Sequence, residues 1–272
     1  PYSYTIPRLF RPDITVNETD NSGSIDLTGN TTYGADLLWK TSGNGNITIS
    51  GATAGDQASN IILSSLETQF GDINVTTQNG TIQVLGDVTT QGGDVTAQST
   101  GLTSVNAVIE TNAGDVTLSG SGANFWDTGI LLANNSVIDT DGGNIALTAN
   151  NTKLVINGKA RAGTGDLDAL APSAGRIEFW GAGELQGAMV NLESGRGITQ
   201  GASGKIIADT LTGQANQSVE LSGQNAIKNV GDFSTGNIGH TGGLILNNVI
   251  AGTSKIIGAV SSKGGAIDIT NT

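Results

Sequence analysis

The chain has 272 residues, of which 41 are glycine, 13 % charged and 4 % aromatic, with no cysteine and a formal charge of −12. Without cysteine there is neither a disulfide framework nor a thiolate metal site, and the acidic balance argues against nucleic acid, which needs clustered Lys and Arg. No apolar run reaches the ~18 residues of a membrane-spanning helix, so membrane insertion is not expected.

The opening stretch, PYSYTIPRLFRPD, differs from everything after it. It carries Tyr2, Tyr4 and Phe10, with Arg8 and Arg11 in an otherwise acidic protein. Residues 1–22 are read as an amino-terminal extension: a cap, a docking segment for a second copy or a plain linker, with capping or docking favoured because an open sheet end exposes unpaired strand edges. The start lacks Met and a charged-then-apolar leader, which reads as a mature or excised piece of something longer.

From Gly23 onward a phrase of Gly, a polar residue and an alternating strand recurs. It stands as GSIDL at Gly23, GNITI at Gly45, GDINV at Gly71, GDVTA at Gly93, GDVTL at Gly114 and GNIAL at Gly143. It returns as GRIEF at Gly175, GLILN at Gly243 and GAIDI at Gly265. Successive spacings are 22, 26, 22, 21, 29, 32, 68 and 22, which gives a period of about 22.

Within one unit, Gly71 to Gly92, Ile73 and Val75 alternate with polar residues, Asn79-Gly80 breaks the run, and Ile82 and Val84 alternate again. Gly86-Asp87 breaks the second run and Val88-Thr89-Thr90 makes a third. Period-two alternation marks strands with one buried face, and the Gly pairs supply the corners. Glycine density and β-branching disfavour helix throughout.

One such unit buries too little apolar surface to offset the entropy of ordering it, so units must stack. The predicted fold is all-β: a right-handed parallel β-helix of about 22 residues per turn with three short strands per turn. It occupies residues 23–272 as a single domain, about 12 turns and roughly 55–60 Å long at the ~4.8 Å strand spacing. A β-sandwich is the alternative, disfavoured by the fixed period.

The intervals of 29 and 32 read as one unit plus an insertion, near residues 119–135 and 153–175. Each adjoins a Phe-Trp pair: NFWDTG at Phe125-Trp126 and EFWGAG at Phe179-Trp180. In RIEFWG the alternation turns Ile177 and Phe179 inward and leaves Glu178 and Trp180 outward. An exposed Trp beside a carboxylate suits stacking against a sugar ring, so Trp126, Trp180 and Glu178 are the candidate ligand-binding residues. The opposing reading is that the rings cover a corner of the solenoid, since Trp is often only partly buried.

DTDGG at Asp139 to Gly143 and the lone histidine, His240 in GHTGG, resemble the aspartates and Gly-His-Gly of pectin-cleaving β-helices. Asp139 and Asp141 are expected to share a strand face, but at this period His240 lies four or five turns away. Calcium-loop and calcium β-roll signatures are absent from DTDGG. The chain is therefore read as non-catalytic, with no metal and no cofactor.

The stretch from Gly197, GITQGASGKIIADTLTGQANQSVELSGQNAIKNVGDFSTGNIGHTGGLILNN, resembles the repeats of filamentous-haemagglutinin-like exoproteins in the order of its phrases. GGDVT and GGNIALTA match more loosely upstream. The resemblance implies a secreted bacterial cell-surface adhesin, exported through an outer-membrane partner transporter by two-partner secretion and acting in adhesion or biofilm. It departs from that pattern in having no Asn-Pro-Asn phrase, which implies a segment downstream of the secretion domain. A surface glycan or host receptor is the expected partner. A self-associating extracellular fibre subunit and a polysaccharide-cleaving β-helix remain the alternatives.

Overall fold

The computed structural model describes residues 14–17, 25–26, 38–41, 44–51, 60–78 and 80–272. Tyr2, Tyr4, Arg8, Phe10 and Arg11, with their expected role in assembly, lie outside the described residues. The described residues form a parallel β-solenoid without helix, about 10 turns high, with about 22 residues and three strands per turn.

Three stacks of in-register strands make three faces. On the first, Ile14, Ile47, Ile73, Val95, Val116, Ile145 and Leu167 lie one above another. On the second, Ile61, Ile82, Thr103, Ile130, Leu154, Ile177, Ile198, Val219 and Leu244 do the same. On the third, Trp39, Leu66, Val88, Ile109, Ile138, Ala160, Leu185 and Ile206 are in line. Side chains alternate along most strands, as in Ile47–Ser50, where Ile47 and Ile49 are fully buried and Thr48 and Ser50 are not. The inward residues of all three faces merge into one continuous core. Toward the carboxyl end the corners smooth out, and the single strand Val219–Thr235 runs across all three faces.

The phrase Gly-Asp-Val-Thr has a packing explanation. A Cβ on Gly114 would sit 2.1 Å from the Gly93 carbonyl oxygen, one on Gly93 would sit 2.0 Å from that of Gly71, and one on Gly143 2.2 Å from that of Gly114. These glycines form a column where successive coils touch backbone to backbone, leaving no room for a side chain. Beside it runs a ladder of carboxylates and amides. Asp72 Oδ1 accepts the backbone N–H of Asp94 at 3.0 Å, Asp94 Oδ1 accepts that of Asp115 at 2.8 Å, and Asp115 Oδ1 accepts that of Asn144 at 2.7 Å. Asn46 begins the ladder below Asp72, and Asn144 passes it to Asp166. Inside the corner, the buried hydroxyls of Thr68, Thr90, Thr111 and Thr140 each donate to the column glycine three residues on. The working unit is therefore Thr-x-x-Gly-Asx followed by an apolar strand.

Four expectations are corrected. The phrases at Gly23, Gly175, Gly243 and Gly265 feed the second face: Ile25 pairs with Ile61, Ile177 with Leu154, and Leu244 with Ile267. A Gly corner and an alternating strand look alike at any of the three corners, so spacings taken between faces mislead. The 32-residue interval is such a case, and residues 153–175 hold no insertion. They contain the strands Lys153–Ile156, Lys159–Arg161 and Leu167–Ala171, and the step from Asn144 to Asp166 is a regular 22. Residues 1–22 are not wholly an extension, because the strand Ile14–Asn17 already pairs in register with Ile47–Ser50. The 12 turns expected from length alone are about 10; the 29-residue step from Asp115 to Asn144 accounts for about a third of a turn of that difference.

Candidate functional site

That 29-residue step is where the coil opens outward. The strand Val116–Ser121 ends the first face, the strand Thr128–Leu132 begins the second, and residues 122–127 bridge them. The bridge is a turn closed by its own polar residues. Asp127 N–H donates to the Asn124 carbonyl at 3.0 Å, and Asn124 N–H donates to Asp127 Oδ2 at 2.8 Å. The Asp127 carbonyl accepts Lys153 N–H at 2.9 Å, which ties the turn to the next coil. Phe125 and Trp126 sit at its tip with ring centroids 4.7 Å apart and planes inclined at 42°.

Two coils above the turn, the strand Arg176–Phe179 places Ile177 and Phe179 in the core, as the alternation requires, and leaves Arg176 and Glu178 partly exposed. The Arg176 guanidinium lies 4.7 Å from the Trp126 ring centroid. Its Nη1 is 3.4 Å from Glu178 Oε1, and Glu178 Oε2 accepts the Trp180 indole N–H at 3.2 Å. Arg196, on the following coil, stacks over Phe125 at 3.8 Å and reaches Trp126 at 5.8 Å. Trp126, Arg176, Glu178 and Trp180 thus form one chain of contacts, although the two Phe-Trp pairs are far apart in sequence. Trp126 and Trp180 keep 61 % and 49 % of their surface exposed.

The three residues singled out in the sequence, Trp126, Glu178 and Trp180, all fall in this cluster. Sequence reasoning missed Arg176 and Arg196. The signal was present: each lies just ahead of an inward Ile of the second face, and Ile177 and Ile198 pair in register. Beside the cluster, Arg176, Arg196, Thr199, Gln217, Ser218 and His240 line an open groove of about 530 Å³.

The catalytic constellation does not assemble. Asp139 ends the strand Val137–Asp139 on the third face, in register between Glu110 and Arg161. Asp141 lies beyond it at φ 47°, with buried Thr140 between the two aspartates, and its N–H donates to Asp139 Oδ1 at 3.2 Å. His240 sits in the groove beside Arg176 and Arg196, closing a small turn with Asn237. Among the described residues, no group of three or more His, Cys, Asp or Glu is placed to hold a metal ion. Among the described residues, no helix is long and apolar enough to cross a membrane. Comparison of the chain with family models, curated proteins and solved structures returned no match.

Proposed function

We propose that the chain is a structural, adhesive segment of a secreted bacterial surface protein of the filamentous-haemagglutinin-like kind. In this reading the solenoid is a rigid rod and Trp126 and Trp180 hold the sugar rings of a surface glycan or host receptor, with no catalytic step. The supporting observation is the joining of two half-exposed indoles through Arg176 and Glu178 into one surface patch. Large amphipathic rings kept in solvent on a rigid sheet suit contact with a partner, where their apolar faces become covered. Fixing the rings in advance lowers the ordering entropy that binding must overcome. Export through an outer-membrane partner transporter and a place at the bacterial surface follow from the resemblance after Gly197, and form part of the proposal.

A glycan array probed with the wild-type chain, Trp126→Ala and Trp180→Ala tests the reading. It predicts binding to a restricted set of glycans that falls in both variants. Binding that survives both substitutions retires the platform.

A further inference from the structure

We infer that the groove beside the aromatic platform is an anion site that takes the carboxylate of an acidic saccharide, with Arg196 as the group that holds it. This inference rests on the glycan-contact reading above and names the class of sugar.

Arg196 is the starting point. Its guanidinium carbon lies over the Phe125 ring at 3.8 Å and the Trp126 ring at 5.8 Å from their centroids, and among the described residues no carboxylate pairs with it. Stacking occupies the face of a guanidinium and leaves its in-plane N–H fork free. That fork has the geometry of a carboxylate's two oxygens. Arg176 adds a second cation to the same groove, and its Nε is buried without an acceptor. Its one ion pair, to Glu178, offsets only part of the local charge.

The rest of the lining is neutral or donor-bearing: Thr199, Gln217, Ser218 and His240. No Asp or Glu lines the groove, in a chain with 24 acidic residues against 12 basic ones. Glu178 and Glu220 flank Thr199 in register on either side and point outward as it does, and Glu178 is already engaged by Arg176 and Trp180. Overall charge repels anions, so capture here depends on the local pair of arginines rather than on a general field. A polysulfated chain is best met by a long basic stripe, whereas here only Lys153, in register with Arg176, extends the pair of arginines. A ring carrying one planar carboxylate, with an apolar face to lie on Trp126, fits two arginines beside an indole.

The test measures binding of oligogalacturonate, its neutral methyl ester and a sulfated heparin oligosaccharide by calorimetry at moderate salt. Proteins are the wild type, Arg196→Gln and Arg196→Lys, each checked for an unchanged circular dichroism spectrum and melting temperature. The wild type should bind oligogalacturonate at least about tenfold more tightly than the ester, as a charge-assisted hydrogen bond warrants. Arg196→Gln should erase that preference, and Arg196→Lys should restore it only in part because it lacks the fork. Equal wild-type affinity for acid and ester overturns the anion site while leaving the platform standing. A preference retained in Arg196→Gln, or tighter binding of the sulfated chain, also overturns the assignment. Binding to none of the three overturns both this inference and the platform reading for these sugars.

Discussion

Arg176 stands between Trp126 and Glu178, its guanidinium 4.7 Å from the Trp126 ring centroid and its Nη1 3.4 Å from Glu178 Oε1. Trp126 belongs to the turn that interrupts one coil, while Arg176 and Glu178 belong to a regular strand of the next stretch of solenoid. Stacking therefore brings together what the chain keeps apart. The contact is solvent-exposed, so its expected worth is small. In urea denaturation, a double-mutant cycle of Trp126→Ala and Arg176→Gln should give a coupling of about 0.5–1 kcal/mol. Additive effects would mean that the ring and the cation do not interact.

The ladder beside the glycine column accepts either carboxylate or amide, since Asn46 and Asn144 hold the same place as Asp72, Asp94 and Asp115. Asp94→Ala should cost about 1 kcal/mol, the net value of an ordinary hydrogen bond. Asp94→Asn keeps the acceptor and removes one of three stacked negative charges, so it should be neutral or slightly stabilising. The gain should shrink as salt is added. Thermal melts of both variants at low and high ionic strength distinguish these effects.

Two glycines should respond differently to alanine. At Gly114 the new Cβ would meet the Gly93 carbonyl oxygen at 2.1 Å, and the coils would have to part. Gly239 has φ +92° and nothing within 4 Å of the same atom. Gly114→Ala should cost about 3 kcal/mol, the upper range for overpacking. Gly239→Ala should cost about 1 kcal/mol for its backbone conformation alone. Equal losses in denaturant midpoint would contradict the close-contact account.

Asn225 is the most heavily bonded side chain of the interior. Its Oδ1 accepts from Gln200 Nε2 at 2.8 Å and Ile206 N–H at 2.9 Å, and its Nδ2 donates to the Leu221 and Asn247 carbonyls. Asn225→Ala leaves these groups buried and unpaired, at a cost of about 3 kcal/mol or more. In a solenoid each coil leans only on its neighbours. Hydrogen exchange should therefore accelerate around residues 200–248 and stay slow around residues 95–150.

The repeat was legible from Gly93-Asp94-Val95 and Gly114-Asp115-Val116 because a column needs the same residue at every level. Which corner a phrase occupies was not legible. Gly175-Arg176-Ile177 has the pattern of a first-face strand, and only its register with Leu154 and Ile198 places it on the second. Thr90 and Thr111, two residues past the inward Val88 and Ile109, are each fully buried with the hydroxyl on a glycine carbonyl, a capping role that alternation alone does not show. Their place three residues ahead of the repeated Gly was the available sign. Trp126, Glu178 and Trp180 could be picked out by alternation and exposure, whereas Arg176 and Arg196 needed the stacking of neighbouring coils to come into view.

The central claim is that binding occurs where the repeat is interrupted, at the patch joining Trp126, Arg176 and Trp180. Mapping amide and indole NMR shifts while titrating oligosaccharides selected on the array tests it most directly. The account predicts perturbations gathered at residues 125–126, 176–180 and 196–199, with the glycine column at Gly71, Gly93 and Gly114 unmoved. Perturbations confined to the regular coils, with the indoles of Trp126 and Trp180 unchanged, would contradict it.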